Sequence, residues 1–167
     1  MAHKVANNLM LFTDGSANSK TDIGFGAYLV VSDLGQLPSS LKENVQLRCF
    51  KNTSSTKLEL QTLLWALTDL IELETKINQL TIYTDSQNII GLLTRREKLE
   101  SSNYYSRNNK RLNNYELYQQ FYELADQLNF QLVKLTGHKT MDAKDHIDHM
   151  FTLVDRASRA ALRKANL

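Results

Sequence analysis

The sequence contains a single cysteine, Cys49, and a single proline, Pro38, among 167 residues. One cysteine excludes an intramolecular disulfide, so a reducing compartment inside the cell is the simpler expectation. No run of about eighteen apolar residues occurs, and residues 1–8 lack the apolar stretch of a secretory signal. We therefore expect a cytoplasmic protein with no membrane segment.

Low-complexity tracts and internal repeats are also missing, and 42% of the residues are hydrophobic. Disordered and fibrous proteins rarely have this composition. A chain of roughly 150 residues buries about two thirds of the surface that its unfolded form exposes. We expect residues 1–167 to form a single monomeric domain, with residues 1–8 as a flexible N-terminus.

The net charge of +2 is small, but it is unevenly distributed. Residues 94–114, named here the basic segment, carry six basic side chains against Glu97 and Glu100, a net charge of +4 that leaves −2 for the rest. The six are Arg95, Arg96, Lys98, Arg107, Lys110 and Arg111. Together with Tyr104 and Tyr105 they favour contact with a phosphate backbone and stacking on bases or sugars. The alternative is a solvated helix and loop.

Three apolar stretches in the first 50 residues predict an antiparallel meander. Residues 9–13 form an apolar run that predicts a central strand, and Asp14-Gly15-Ser16 predicts a turn that ends it. Residues 27–31 and 45–50 predict two further strands, separated by a turn around residues 33–35 and Pro38.

The rest of the sequence alternates between helical and extended patterns. It predicts a helix over 56–74, a strand over 80–83, a helix after Ser86, a helix around 117–128, a strand over 130–135 and a helix over 151–164. Three strands followed by alternating helices and strands indicate a mixed sheet with helices packed against its faces.

Four acidic residues come from four of these elements, and each has a structural explanation of its own. Asp14 can initiate a turn. Glu59 completes a Thr-x-x-Glu capping box, and Asp85 can cap a helix. Asp155 can pair with Arg159 one helical turn later.

Taken together, the four acids favour a different interpretation. The predicted topology places Asp14 and Asp85 at the carboxyl ends of neighbouring strands, where open α/β sheets bind ligands. Glu59 and Asp155 can converge there from two helices. Crowded carboxylates repel one another, and divalent cations remove the conflict, since magnesium takes oxygen ligands and two ions can bridge a scissile phosphate. The sequence therefore predicts a metal-dependent nuclease.

Five segments resemble, in order, the motifs of type 1 ribonuclease H. They are LFTDGS at 11–16, KLEL at 57–60, YTDSQ at 83–87, GH at 137–138 and VDRA at 154–157. The resemblance extends over residues 9–164. It implies an α/β ribonuclease H-like fold: a mixed five-stranded sheet whose first three strands are antiparallel, with helices on both faces.

The resemblance also implies an activity, the hydrolysis of the RNA strand of RNA/DNA hybrids. It makes Asp14, Glu59, Asp85 and Asp155 the ligands of two Mg²⁺ ions, with Mn²⁺ as an alternative. Because Asp14 has a central position, we expect both ions to share it. His138 corresponds to a family histidine that assists proton movement or product release. Its alternative is a solvated loop histidine.

Substrate recognition is expected from short polar groups near the acids, because a hybrid is distinguished by its 2′-hydroxyls. The candidates are Ser16, Ser55, Thr56, Ser86 and Gln87. Ser55 and Thr56 have the alternative role of capping a helix. The basic segment resembles the handle that some cellular family members use to grip nucleic acid, which makes its six basic side chains candidate phosphate contacts.

Two features depart from the family pattern. Phe151 stands where the family often has asparagine, and residues 139–154 form a long connection. Within that connection, residues 145–149 (DHIDH) suggest an additional transition-metal site, against the alternative of a polar approach to the last helix. Two other functions stay open: a hybrid-binding module without activity, and a related DNA-processing nuclease of the same fold.

Overall fold

The computed structural model describes residues 7–32, 35–73, 76–136 and 145–166. Five strands form one sheet with the order β3-β2-β1-β4-β5. The strands are β1 (Asn7–Asn18), β2 (Ile23–Val31), β3 (Gln46–Lys51), β4 (Ile77–Thr84) and β5 (Phe130–Lys134). The first three pair antiparallel, whereas β4 runs parallel to β1 and β5 runs parallel to β4. The predicted mixed sheet is confirmed.

Six helices lie between and after the strands in the described ranges. They are α1 (Pro38–Leu41, followed by a 3-10 turn at Lys42–Asn44), α2 (Ser55–Glu72), α3 (Gln87–Ile90), α4 (Leu92–Ser101), α5 (Tyr115–Gln127) and α6 (His146–Ala165). In the part of the chain that the structure describes, no helix has the length and hydropathy to cross a membrane.

Strand β1 does not end at Gly15, so the predicted turn at this glycine is wrong. Gly15 instead pairs with Gly26 of β2. A Cβ added at Gly15 would lie 2.9 Å from the Leu58 side chain, so the glycine is needed because α2 crosses the strand closely. Residues 7 and 8, predicted to be flexible, belong to β1. Residues 1–6 lie outside the described residues.

The sheet separates two hydrophobic cores, because successive side chains of a strand point to opposite faces. Leu11 belongs to the core that α2 and α5 cover, and Phe12 belongs to the core that α6 and α1 cover. Helix α2 contributes Leu60, Leu63 and Leu67, all fully buried, to the first core. Since each such side chain contributes about 1.5–3 kcal/mol relative to an exposed one, α2 is held firmly against the sheet.

Helix α6 begins at His146, five residues earlier than the predicted start at 151. Asp145 caps the helix by accepting a hydrogen bond from the Asp148 backbone N–H at 2.9 Å. The Asp148 carboxylate accepts from the Asp145 N–H in return, at 3.2 Å. These reciprocal bonds form a capping box, which explains both acids of the DHIDH run structurally. The early start places Asp155 in the middle of a regular helix.

Candidate metal and nucleic-acid site

Asp14 and Asp85 are brought side by side by the parallel pairing of β1 with β4. Phe12 lies opposite Tyr83 in that register, and Asp14 and Asp85 each follow two residues later. Asp85 comes directly after Thr84, the last residue of β4. The predicted adjacency of these two acids is confirmed, although Asp14 lies within its strand and not at the strand end.

Glu59 projects from the first turns of α2 towards the residue after Asp85. The helix is capped by Ser54, whose hydroxyl accepts from the Lys57 N–H at 3.3 Å, so the predicted Thr56–Glu59 capping box is wrong. The Ser86 hydroxyl donates a hydrogen bond to the Glu59 carboxylate. The same hydroxyl caps α3 by accepting from the Ile89 N–H at 3.3 Å. Ser86, and not Asp85, is therefore the cap of that helix.

Asp155 reaches the cluster from α6. Its carboxylate is hydrogen-bonded to that of Asp14 and also pairs with Arg159 Nε at 2.8 Å. The predicted Asp155–Arg159 ion pair is thus present, and Asp155 also contacts Asp14. Ser158, one residue before Arg159, lies 3.3 Å from the hydroxyl of Ser16 in β1. These contacts fix α6 against the strand that carries Asp14.

The pKa values of Asp14 and Glu59 are raised by burial and by neighbouring carboxylates. Burial, and then the charge of Asp85, raises the pKa of Asp14 to about 8, and the hydrogen bond with Asp155 acts in the same direction. Burial also raises the pKa of Glu59, an effect that the Ser86 hydrogen bond opposes. Without a cation, a pKa of about 8 leaves Asp14 mostly protonated at neutral pH.

The acids are neighbours in a chain that runs from Asp155 through Asp14 and Asp85 to Glu59. Among the described residues, no three acidic, histidine or cysteine side chains are already arranged as a metal-holding group. The donor chemistry nevertheless fits a hard divalent cation, since all four side chains offer carboxylate oxygens. The raised pKa of Asp14 marks the charge conflict that such a cation would relieve.

The candidate recognition residues differ in their exposure and in the contacts that they make. Gln87 accepts a hydrogen bond from Lys134 Nζ at 2.6 Å. Sequence reasoning missed Lys134, although it ends the strand next to β4, whose end carries the acidic site. Ser55 and Thr56 are exposed in the first turn of α2. His138 lies outside the described residues.

Two arginines of the basic segment are bound by other side chains of the protein. Arg96 makes two hydrogen bonds to Asp126, at 2.6 and 2.9 Å, and a third to Glu100, at 2.7 Å. The Arg111 guanidinium lies 3.9 Å from the centre of the Tyr115 ring. Tyr104 is 5% exposed, so its expected role in stacking on nucleic acid is wrong.

Other side chains of the basic segment face outwards. Tyr105 is 42% exposed, and Arg107 and Lys110 are exposed beside it. The loop that carries them is closed by a hydrogen bond from the Ser106 N–H to the Lys110 carbonyl at 2.7 Å. The tip of this loop therefore presents an aromatic ring and two cations to solvent.

Solved structures with the same architecture include the PFV RNase H domain in solution. Its TM-score is 0.71 at 14% identity, over 93% of this chain and 94% of that chain. A foamy viral protease-reverse transcriptase in complex with dsDNA has a TM-score of 0.67 at 12% identity, over 95% of this chain and 98% of that chain. No curated protein sequence matches the chain closely enough to count as a relative.

The sheet order, with acidic residues at the adjoining positions of β1 and β4, defines an α/β fold of the RNase H type. The RNase H family model matches residues 6–158, which is most of the chain. The protein belongs to the RNase H family.

Proposed function

We propose that this protein hydrolyses the RNA strand of RNA/DNA hybrids by a two-metal-ion mechanism. The observation that carries the proposal is the placement of Asp14 beside both Asp85 and Asp155, with Glu59 next in the chain of acidic neighbours. A cluster of carboxylates from four separate elements repels itself unless cations are bound, so its assembly favours a metal site. Membership of the RNase H family supports the same reaction.

In this proposal the carboxylates hold Mg²⁺, or Mn²⁺ as the alternative, and Asp14 is the ligand common to both ions. When bound, the two cations supply an acidified water and the positive charge that stabilises the leaving 3′ oxygen. Asp14 must first give up its proton. The Ser86 hydroxyl fixes Glu59, and Arg159 fixes one oxygen of Asp155, so both ligands are oriented by neighbours within the protein.

Recognition of the hybrid is assigned to the rim of the acidic cluster and to the basic segment. Ser16 and Gln87 offer hydroxyl and amide groups for the 2′-hydroxyls that distinguish RNA from DNA. Ser86 is buried, and its hydroxyl is already bonded to Glu59 and to the Ile89 N–H, so it orients the cluster and does not contact the substrate. Arg107 and Lys110 offer cations for phosphates. His138 is proposed to move a proton or assist product release, and the protein is proposed to act as a cytoplasmic monomer.

Incubation with end-labelled hybrid, double-stranded RNA and double-stranded DNA tests the proposed function. We expect cleavage of only the RNA strand of the hybrid, in Mg²⁺ or Mn²⁺, and none in the presence of a chelator. Asp22→Asn serves as a control, because Asp22 is an exposed aspartate in the turn between β1 and β2.

Each other outcome identifies one of the alternative functions. Preferential cutting of DNA would identify a DNA-processing nuclease and remove the assignment to hybrids. Tight hybrid binding with no cleavage under any metal would leave a binding module without activity.

A further inference from the structure

A groove of about 660 Å³ lies between α6 and the chain segment that leads into β3. We name it the α6 groove and define it by four cationic side chains, Lys42, Arg156, Arg159 and Arg163, and by Asp155 at one end. It lies on the face of the sheet opposite the basic segment, because its walls pack on the second hydrophobic core and the basic segment packs on the first.

The groove carries three net positive charges, since its four cations face the single carboxylate of Asp155. Arg156, Arg159 and Arg163 recur at intervals of three and four residues, so they share one side of α6. Like charges at this spacing repel one another, and within the described part of the chain only Arg159 of the three pairs with an acidic side chain. Arg163 also stabilises the carboxyl end of the helix, whereas Arg156 lies in mid-helix and has no such role.

The floor of the groove is apolar. Val45 and Leu153 pack against the second core, which fixes both walls. Leu47, on the edge strand β3, is 47% exposed and lines the same groove. None of the described residues that line it is aromatic. A ligand would therefore meet cations and aliphatic surface, without the rings on which nucleobases stack.

One end of the groove is part of the acidic site, because Asp155 lines both. From Asp155 to Arg163 the helix rises about 12 Å, at 1.5 Å per residue. One strand of a duplex advances about 3.4 Å per nucleotide, so this length accommodates about three to four nucleotides. A strand leaving the acidic cluster along α6 would pass one cation after another.

We propose that the α6 groove binds the sugar-phosphate backbone next to the scissile bond, over about three to four nucleotides on one side of the cut. The proposal rests on the proposed function, since it takes the acidic cluster as the place of cleavage. The cations would contact phosphates and the aliphatic floor would contact sugars, so binding would be independent of sequence. Duplex substrate would then be held on both faces of the sheet.

An acidic protein segment is the competing occupant, because carboxylates also suit arginine and an aliphatic floor suits apolar side chains. The continuity of the groove with Asp155 favours nucleic acid. A protein partner seated there would compete with any strand that leaves the cluster in this direction.

The test compares the double variant Arg156→Gln, Arg163→Gln with the control Lys76→Gln, Lys164→Gln. Both remove two exposed positive charges, but neither control lysine lines the groove, although Lys164 belongs to the same helix. Hybrid affinity is measured by fluorescence anisotropy at several salt concentrations, with hybrids trimmed stepwise from each flank and with an oligoglutamate peptide. Thermal unfolding shows whether each variant is folded, and steady-state cleavage separates KM from kcat.

For the groove variant we expect weaker hybrid binding and a KM that rises more than kcat falls. Its salt slope should be shallower than that of the control by about 1.4 to 1.8, the contribution of two phosphate contacts. Trimming one flank should weaken binding by the wild type and leave the groove variant almost unaffected.

Equal hybrid affinity and salt slope for the groove and control variants would overturn the proposal. So would loss of oligoglutamate binding with unchanged hybrid binding, which would identify an acidic protein partner. If the wild type cleaves no substrate, the proposed function fails, and the anisotropy comparison still decides whether the groove holds nucleic acid.

Discussion

The basic segment and the α6 groove are two cationic surfaces on opposite faces of one sheet, and they use their charge differently. In the basic segment, Arg96 is bound to Asp126 and Glu100 and also lies 5.0 Å from the Tyr122 ring. In the groove, the ion pair between Arg159 and Asp155 engages one of four cations. Arg96 therefore has two acidic partners and an aromatic one, whereas Arg159 has a single acidic partner.

This difference shows that charge density along a sequence does not measure the charge available to a ligand. The six cations of the basic segment lie within 21 residues and are conspicuous. The groove assembles its cations from the turn after α1 and from α6, more than 100 residues apart. Folding brings Asp126 and Glu100 to Arg96 in the basic segment, and it brings the four cations of the α6 groove close to one another.

The largest expected effect is a loss of cleavage that leaves binding by both cationic surfaces unchanged. Asp14→Asn should lower hybrid cleavage by roughly 10³-fold or more, because a central metal ligand loses its charge. Hybrid affinity should persist, because neither cationic surface changes. Single-turnover cleavage and anisotropy measure the two effects separately. A parallel loss of affinity would mean that the surfaces do not bind without the acids.

The second prediction concerns the pH dependence of metal binding. Since the pKa of Asp14 is about 8 without a cation, a bound ion must displace its proton. The Mg²⁺ concentration for half-maximal cleavage should rise about tenfold for each pH unit below that value. A variant with Arg107→Gln and Lys110→Gln should show the same slope. A requirement for Mg²⁺ that stays constant with pH would contradict the proton assignment.

The third prediction is a gain in stability when the charge conflict is removed. The folded-state pKa of Asp14 is raised, so its contribution to stability is complete below pH 4 and is lost as the pH rises towards 8. In the absence of cations, Asp14→Asn should therefore stabilise the protein at pH 7 by roughly 1 to 3 kcal/mol. Thermal unfolding should show no gain at pH 4. Asp22→Asn, the exposed control, should behave as the wild type throughout.

The fourth prediction tests the outward tip of the basic segment. Arg107→Gln with Lys110→Gln should weaken hybrid binding by roughly threefold to tenfold at low salt and flatten its salt dependence. The melting temperature should stay unchanged, because both side chains are exposed. Unchanged affinity would leave the α6 groove as the more important surface.

The smallest binding effect is expected at Arg96, in spite of its charge. Arg96→Gln removes the contacts with Asp126, Glu100 and the Tyr122 ring, so the melting temperature should fall by about 2–4 °C. Hybrid affinity should hardly change. A large loss of affinity without loss of stability would show that Arg96 is released from its partners to grip phosphate.

Periodicity was sufficient to predict the order of strands and helices, because each element buries a continuous apolar face. It could not show that β1 passes through Gly15, since a glycine next to aspartate is typical of both a turn and a close helix crossing. The early start of α6 had a sequence signal in Asp145 and Asp148, spaced three residues apart. The run is a polar approach to the last helix, as the sequence also suggested, but its spacing alone did not show the reciprocal caps.

The candidate site was predictable to a similar extent. The order of the acidic motifs predicted which carboxylates meet, and the pairwise neighbours of Asp14 agree with it. The sequence did not reveal that Ser86 joins Glu59 to the start of α3, or that Lys134 binds Gln87. Such contacts depend on distances of a few ångströms between elements, which no spacing along the chain encodes.

The glycines beneath α2 show how the proposed activity could be lost while all four acids are kept. A Cβ at Gly26 would lie 2.1 Å from Thr62 Oγ1, and one at Gly24 would lie 2.6 Å from the Leu58 side chain. At Gly24 the Leu58 side chain can move aside, but at Gly26 the methyl group would meet the whole Thr62 side chain and push the helix outwards, together with Glu59. A related protein could therefore keep all four acidic residues and still have no activity. The presence of the four carboxylates in a sequence is not by itself enough to predict cleavage.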